Sequence, residues 1–406
     1  MTKDPRFMAT RYLIVGGGLA AASAIEGIRE LDTAGEIVLL TAEKELPYHR
    51  PPLSKGYLAG RDQVEAVRIH EPAWYRSHGV RVKLGQVAKS VHLKKRSVTV
   101  ESGERESYDR LLVATGSRPR RLNTPGIDTP GVVHLRTLAD SSHLRSVLKP
   151  GVRLVCVGGG FIGVEVACTA RDIGAEVTVL DSGPGLYRSF ADPELSDFFH
   201  ALLESRGIAV KANTRVARFR AEGGKLAGVT LEDNALLPAD VAVVGVGAEP
   251  NTEWLASSGF QIDRGGVVVN VRLETQGEDV WAAGDIARFP DPVSHQPRRL
   301  EHWDNALAQG KHAGRNMAGA EAAYAHQSLF FSDLSDVTMN VLGDTEKADR
   351  VVTLGSVDVK APQFTVYYIR AHKLIGAVMV NFASADRAAE FEALQKHLAD
   401  GTTPEV

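Results

Sequence analysis

Two stretches of the chain carry the same pattern: a short apolar run, three glycines, and then apolar and small residues at helical spacing. The first is Tyr12-Leu13-Ile14-Val15 leading into Gly16-Gly17-Gly18-Leu19-Ala20-Ala21, and the second is Arg153-Leu154-Val155-Cys156-Val157 leading into Gly158-Gly159-Gly160-Phe161-Ile162-Gly163. An apolar run this short, closed by glycine, predicts a buried strand of a parallel sheet, and the apolar spacing beyond the glycines predicts a helix. In a strand-turn-helix of this kind the first glycine permits the tight turn and the second lets the backbone approach a pyrophosphate. The third small residue lets helix and strand pack closely. Candidate ligand contacts are therefore Gly16, Gly18 and Ala21 in the first turn, and Gly158, Gly160, Phe161, Ile162 and Gly163 in the second. A helix N-terminus binds an anion. Two such turns in one chain suggest two dinucleotides, a flavin nucleotide and a nicotinamide nucleotide.

The pattern continues in parallel through both halves. Ile37 to Leu40 reads as the strand after the first helix and ends in Thr41-Ala42-Glu43, with Glu43 the nearest acid for a ribose hydroxyl. Val177 to Leu180 is its counterpart and ends in Asp181, about twenty residues beyond the glycines, where a carboxylate accepts from ribose hydroxyls and repels a 2′-phosphate. Leu111-Leu112-Val113 ends in Ala114-Thr115-Gly116, and Val241 to Val246 ends in Gly247 at the same relative place. Between these lie alternating strands over residues 80–100, which include Val87, and a loop rich in Pro and Arg over residues 117–130. The segment from Leu46 to Lys55 is too rich in proline for regular structure, although Ser54 could cap a short helix. Val280-Trp281-Ala282-Ala283-Gly284-Asp285 is a strand that delivers a carboxylate to a loop, and a helix is expected over residues 305–317. From about residue 327 short strands take over, with a terminal helix over residues 385–398.

The chain has 406 residues, enough for two or three domains, and a net charge of −3 with both signs interspersed. That balance makes no global case for nucleic acid or membrane binding. Local clusters, Arg118 with Arg120 and Arg121, and Arg298 with Arg299, read either as docking points or as solvated loop charges. No export signal and no apolar run of membrane-spanning length are found, so a cytoplasmic protein is expected. The only cysteines, Cys156 and Cys168, fall in one strand-turn-helix unit. They are expected to fill core positions, without a disulfide framework or a metal site.

Pro51-Pro52-Leu53-Ser54-Lys55, the Ala114-Thr115-Gly116 strand end, the paired glycine turns, Ala283-Gly284-Asp285 and Glu301-His302-Trp303 come in a particular order and spacing. In these the chain resembles, over nearly its whole length, the FAD-dependent flavoprotein reductases of the glutathione-reductase structural type, in their ferredoxin-reductase branch. That branch includes the reductases of P450 and aromatic-ring dioxygenase systems and the apoptosis-inducing-factor group. The resemblance implies an α/β fold with two Rossmann-like dinucleotide-binding domains and a C-terminal α+β domain. It places an FAD-binding domain at residues 1–116 and 246–325, an NAD-binding domain at 117–245, and the C-terminal domain at 326–406.

It also implies roles for particular residues. Asp285, with Gly284, resembles the carboxylate that accepts from the flavin ribityl chain, and Arg50 and Arg136 resemble arginines near the flavin nucleotide. Lys55 resembles the lysine beside the isoalloxazine, paired with Glu165 on the second Rossmann helix, where a cation stabilises negative charge on reduced flavin. Val87, Ala114, Thr115, Gly116, His302, Trp303 and Phe331 complete the implied flavin contacts, and Gly247 the nicotinamide set. Trp303 reads equally as a packing residue or as part of an electron exit. Ala42 stands where relatives often carry an acid, which leaves the adenosine partner open; Glu43 is the expected one. Phe331 replaces the tryptophan of a Phe-Trp-Ser-Asp run, and His326-Gln327-Ser328 with Leu334 look closer to the apoptosis-inducing-factor group.

The implied reaction is hydride transfer from NADH to FAD, then single-electron release to a [2Fe–2S] ferredoxin that supplies a P450 monooxygenase or Rieske-type dioxygenase. No general base is needed. Disulfide, peroxide and coenzyme A disulfide reductases of this architecture need cysteine near residues 51–57, where this chain has none. Two alternatives share the motifs: a monodehydroascorbate or quinone reductase, and an NADH-sensing interaction protein like apoptosis-inducing factor.

Overall fold

The structure is a computed structural model that describes residues 9–294, 296–381 and 385–405. Residues 1–8, part of the stretch in which no export signal is expected, lie outside it. The described chain divides into two compact units: residues 1–49, 64–118 and 249–328, and residues 50–63, 119–248 and 329–406.

The first unit is built on a five-stranded parallel sheet in the order Val280–Ala282, Arg110–Val113, Arg11–Val15, Glu36–Leu40 and Val80–Lys83. Arg11–Val15 pairs with strands on both sides, which is why its residues run apolar without alternation; Leu13 and Ile14 are fully buried. The helix Leu19–Arg29 that comes next is rich in alanine because the helix Trp303–Met317 lies against it at backbone distance. A Cβ on Gly310 would stand 2.2 Å from Ala20 O, and one on Gly314 would stand 2.1 Å from Ala24 O. That second helix starts at Trp303, two residues before the expected Asn305, so His302 becomes its N-cap. The alternating pattern read over residues 80–100 divides: Val80–Lys83 joins the parallel sheet, and Ala88–His92 and Ser97–Val100 form a three-stranded antiparallel sheet with Arg105–Ser107.

The second unit repeats the first sheet's plan, in the order Ala209–Lys211, Glu176–Leu180, Arg153–Val157, Val241–Val244 and Val132–Val133. In each sheet the strand before the glycine turn lies between the strand that succeeds it and a later one, the order of a Rossmann unit. The same unit holds a five-stranded antiparallel sheet in the order Leu329–Leu334, Val337–Gly343, Lys373–Val380, Gln363–Arg370 and Arg350–Ser356. The terminal helix Ala385–Asp400 packs Leu394 and Leu398 on Tyr367 and Met379 of that sheet, so this part is α+β as expected.

The proline-rich segment is more regular than its composition suggests. Pro51–Ser54 forms one turn of 3₁₀ helix, with proline at its first position where no amide hydrogen is required. Ser54 does not cap a helix; it closes this turn, and its hydroxyl is used elsewhere.

Candidate functional site

In the first unit the glycine turn is shaped by close approach. Gly16 has φ +127°, and a Cβ there would lie 2.0 Å from Ala114 O. Only glycine fits, because the turn runs under the end of the strand Arg110–Val113. A Cβ on Gly17 would lie 2.1 Å from Thr41 Oγ1, whereas one on Gly18 would meet nothing within 4 Å. Gly18 caps the helix Leu19–Arg29 with no side-chain hydrogen bond, and the first turn carries no acid. Its amides have no side-chain acceptor at the cap, and Gly18 leaves an open face there, an arrangement able to take an anion. Ala21 is fully buried beneath the turn.

Thr115 Oγ1 donates to Asn251 O at 3.0 Å, Asn251 Nδ2 donates back to Thr115 O at 2.9 Å, and Asn251 N donates to Gly116 O at 2.9 Å. Asp285 accepts from Ser117 Oγ at 2.6 Å. Gly284 has φ +80°, and its amide donates to Gln309 Oε1 at 2.9 Å. Gln309 is fully buried and its Nε2 has no protein acceptor among the described residues, a donor suited to a bound polar group. Glu43 accepts from the Tyr48 hydroxyl at 2.5 Å, and Val87 is exposed with its carbonyl taken by Glu101 N. Trp303 Nε1 donates to His49 Nδ1 at 3.2 Å. Burial pushes the His302 imidazole down to about 4, helped by the charge of Arg298, so it is neutral near neutral pH.

The second unit repeats the turn with one change. Gly158 has φ +112° and its Cβ would lie 2.3 Å from Gly245 O; a Cβ on Gly163 would lie 2.0 Å from Gly158 O. Gly160 faces open space and caps the helix Phe161–Ile173, again with no capping side chain and no acid in the first turn. Ile162 is 41% exposed at that helix start, and Gly247 faces open space at φ +105°. Phe161 is instead held in an aromatic cluster, 4.3 Å from Phe330 and 5.0 Å from Tyr187 between centroids. The acid differs from the first turn. Asp181 is 6% exposed; its Oδ2 accepts from Gly159 N at 2.8 Å and its Oδ1 from Gly183 N at 2.7 Å. Arg188 Nε stands 3.4 Å from Oδ1. Asp181 thus braces the turn through both carboxylate oxygens.

Beside this turn, Lys55 Nζ pairs with Glu165 Oε1 at 2.8 Å. Glu165 lies on the helix Phe161–Ile173 and is 4% exposed. Its carboxylate also accepts from Ser54 Oγ at 2.5 Å and Ser332 Oγ at 2.6 Å, two partners that sequence reading missed because an isolated serine has no periodic signature. Arg50 Nη1 donates to Arg136 O at 2.5 Å, and Arg136 leads into the helix Leu138–Val147, which Thr137 and Asp140 cap reciprocally. Phe331 is half-buried on the strand Leu329–Leu334.

The arginine clusters are drawn into local pairs. Arg298 pairs with Asp291 at 3.6 Å, Arg299 with Glu301 at 2.6 Å, Arg118 with Glu249 at 3.2 Å, and Arg121 with Asp128. Both cysteines are free and buried, and burial pushes the Cys168 thiol up to about 11 and the Cys156 thiol higher still. Neither is placed for dithiol chemistry. Among the described residues no helix is long and apolar enough to cross a membrane.

The chain matches the family model described as pyridine nucleotide-disulphide oxidoreductase over residues 10–310, and the model described as reductase C-terminal over residues 329–406. It is 32% identical to putidaredoxin reductase of Pseudomonas putida over 397 residues, 96% of this chain and 91% of that protein. It is 37% identical to the ferredoxin–NAD(+) reductase component of the biphenyl dioxygenase system of Paraburkholderia xenovorans over 355 residues, 87% of this chain and 86% of that one. Among solved structures it resembles the covalent putidaredoxin reductase–putidaredoxin complex, with a TM-score of 0.91 at 31% identity, covering 97% of this chain and 94% of that one. With both glycine turns, the Lys55–Glu165 pair and these likenesses in hand, the chain belongs to the pyridine nucleotide-disulphide oxidoreductase family, in the group of FAD- and NAD(H)-dependent ferredoxin reductases.

Proposed function

We propose that the protein is a cytoplasmic NADH-dependent ferredoxin reductase, which passes electrons through FAD to a [2Fe–2S] ferredoxin serving a P450 monooxygenase or ring-hydroxylating dioxygenase. The observation that carries this reading is the turn Pro51–Ser54: where a disulfide reductase needs cysteine, this chain presents Lys55 to a buried glutamate. A cation held on a buried carboxylate stabilises developing negative charge; a dithiol would divert the electrons to sulfur. Bound FAD supplies the exchange between a two-electron hydride and single electrons.

The rest of the machinery binds and orients. Residues 1–116 and 246–325 are assigned to FAD, through Gly16, Gly18, Ala21, Glu43, Val87, Ala114, Thr115, Gly116, Gly284, Asp285, His302 and Trp303. Arg50, Lys55, Arg136 and Phe331 are assigned to the same cofactor. Residues 117–245 are assigned to NAD(H), through Gly158, Gly160, Phe161, Ile162, Gly163, Glu165, Asp181 and Gly247. His302, neutral near neutral pH, adds no charge beside the flavin.

The test is steady-state NADH oxidation with a purified [2Fe–2S] ferredoxin and cytochrome c as final acceptor. Fast turnover that needs the ferredoxin supports the assignment. Slow turnover with every ferredoxin, together with long-wavelength absorbance that persists in air after NADH addition, would favour an NADH-sensing role instead.

A further inference from the structure

Glu165 takes its donors from three separate places in the chain. Lys55 and Ser54 come from the turn Pro51–Ser54 and its end, and Ser332 from the middle of the strand Leu329–Leu334 in the C-terminal sheet. Lys55 and Ser332 share Oε1, while Ser54 takes Oε2. A buried carboxylate with one cation and no further donors is costly to hold in a single orientation, and neutral hydroxyls on its remaining lone pairs fix it.

The surroundings of Ser332 show that its hydroxyl is not there for the sheet. Strand alternation puts Phe330, Ser332 and Leu334 on one face. Phe330 packs on Phe161 and Leu334 is fully buried, so a single hydroxyl stands in an otherwise apolar row, and its acceptor is Glu165. Two more bonds pin the turn from behind. Thr169, one helical turn beyond Glu165, donates through Oγ1 to Ser54 O at 2.7 Å, and Ser141 Oγ donates to Leu53 O at 2.7 Å. The titratable groups facing Glu165 are Lys55, the Cys168 thiol on its own helix and the Tyr187 phenol. Burial pushes the phenol well up, and it stays neutral.

We propose that Ser332, with Ser54, is a positioning residue for hydride transfer: the two hydroxyls aim the Glu165 carboxylate so that it holds the Lys55 ammonium in one place. The C-terminal sheet thereby becomes a determinant of the reduction step. This inference rests on the assignment of Lys55 and Glu165 to that step. With Ser332 gone, Oε1 turns toward Lys55 alone, the ammonium shifts, and its stabilisation of negative charge weakens. A lost hydrogen bond to a charged group corresponds to roughly tenfold to hundredfold in rate.

The experiment uses the flavin-loaded protein. Ser332→Ala is expected to slow anaerobic flavin reduction by NADH about tenfold or more, with little change in NADH affinity, and to move the flavin midpoint potential toward that of Lys55→Met. Ser332→Thr, which keeps the hydroxyl, should restore both. In a Glu165→Gln background, Ser332→Ala should add less than about twofold, since two changes acting through one carboxylate are not additive. If Ser332→Ala does not fold, Ser54→Ala is read in the same way. Rate and potential unchanged in Ser332→Ala, or the full loss repeated in the Glu165→Gln background, would overturn the proposal. The potential is measured against a mediator dye, so it decides the matter even if NADH fails to reduce the wild type, the outcome that would sink the functional assignment instead.

Discussion

The two glycine turns share a backbone and differ in how they hold their acid. At the second glycine of the first turn the neighbour is Thr41; at the same place in the second it is Asp181, with Leu186. The first unit ends its strand in a threonine whose Oγ1 accepts from Glu43 N at 3.2 Å, so the acid lies two residues further on, tied to Tyr48. The second unit builds the acid into the turn, its two oxygens bonded to Gly159 N and Gly183 N. One scaffold can thus keep its acid outside the turn or make it part of the turn.

The largest expected effects test whether the two turns are separate cradles. Alanine at Gly16 or Gly158 meets both a positive φ and a carbonyl near 2 Å from its Cβ, a combined strain of about 3 kcal/mol or more. Gly16→Ala should yield protein without flavin. Gly158→Ala should stay yellow while NADH affinity falls more than about a hundredfold. Absorbance of the purified variants and an NADH titration check both, and loss of flavin from Gly158→Ala would break the comparison.

Next in size is the cation beside the second turn. Lys55→Met keeps the stem and removes the charge, and should slow flavin reduction by about a hundredfold while lowering the flavin potential. Stopped-flow reduction and a dye-coupled titration read the two quantities; an unchanged pair would leave Lys55 a structural residue.

The acids should then part company. The wild type is expected to prefer NADH over NADPH by more than about tenfold, roughly 1.4 kcal/mol. Asp181→Ala should raise the KM for NADH and narrow that gap, and it should also lower the melting temperature, because two backbone amides and Arg188 lose their partner. Glu43→Ala, whose acid stands outside its turn, should weaken FAD retention with little loss of stability. Equal melting losses in the two variants would erase the distinction.

The smallest effect concerns His302. Its folded value of about 4 lies below the ordinary 6.5, so between these the unfolded chain binds more protons than the folded one. Stability from this group is full above the unfolded value and falls as pH drops toward the folded one, by about 1 kcal/mol from about pH 6 to about pH 5. Urea unfolding of His302→Gln against wild type over that range should show the slope flattened in the variant.

Much of the proposed site rests on the order of residues. Gly16 and Gly158 declare themselves because only glycine tolerates their backbone, Asp181 by its offset from the second turn, and Lys55 and Glu165 only through the family resemblance. Arg298 and Arg299 show the limit of such reading: a sequence shows a cluster of charge but not the Asp291 and Glu301 that pair with it. The regular turn at Pro51–Ser54 was masked by its prolines, which suit one turn of 3₁₀ helix as well as a loop.

The amino-acid sequence by itself determined the duplicated strand-turn-helix units, since these arise from local periodicity and from backbone conformations that few residues adopt, and through the resemblance its motifs carry it pointed to the class of redox chemistry. Tertiary structure alone decided which side chains meet. Ser332 reaches Glu165 across 167 positions and Ser54 across 111. Nothing local marks such partners, because a hydrogen bond between distant segments depends on where packing places them and not on the pattern around either residue.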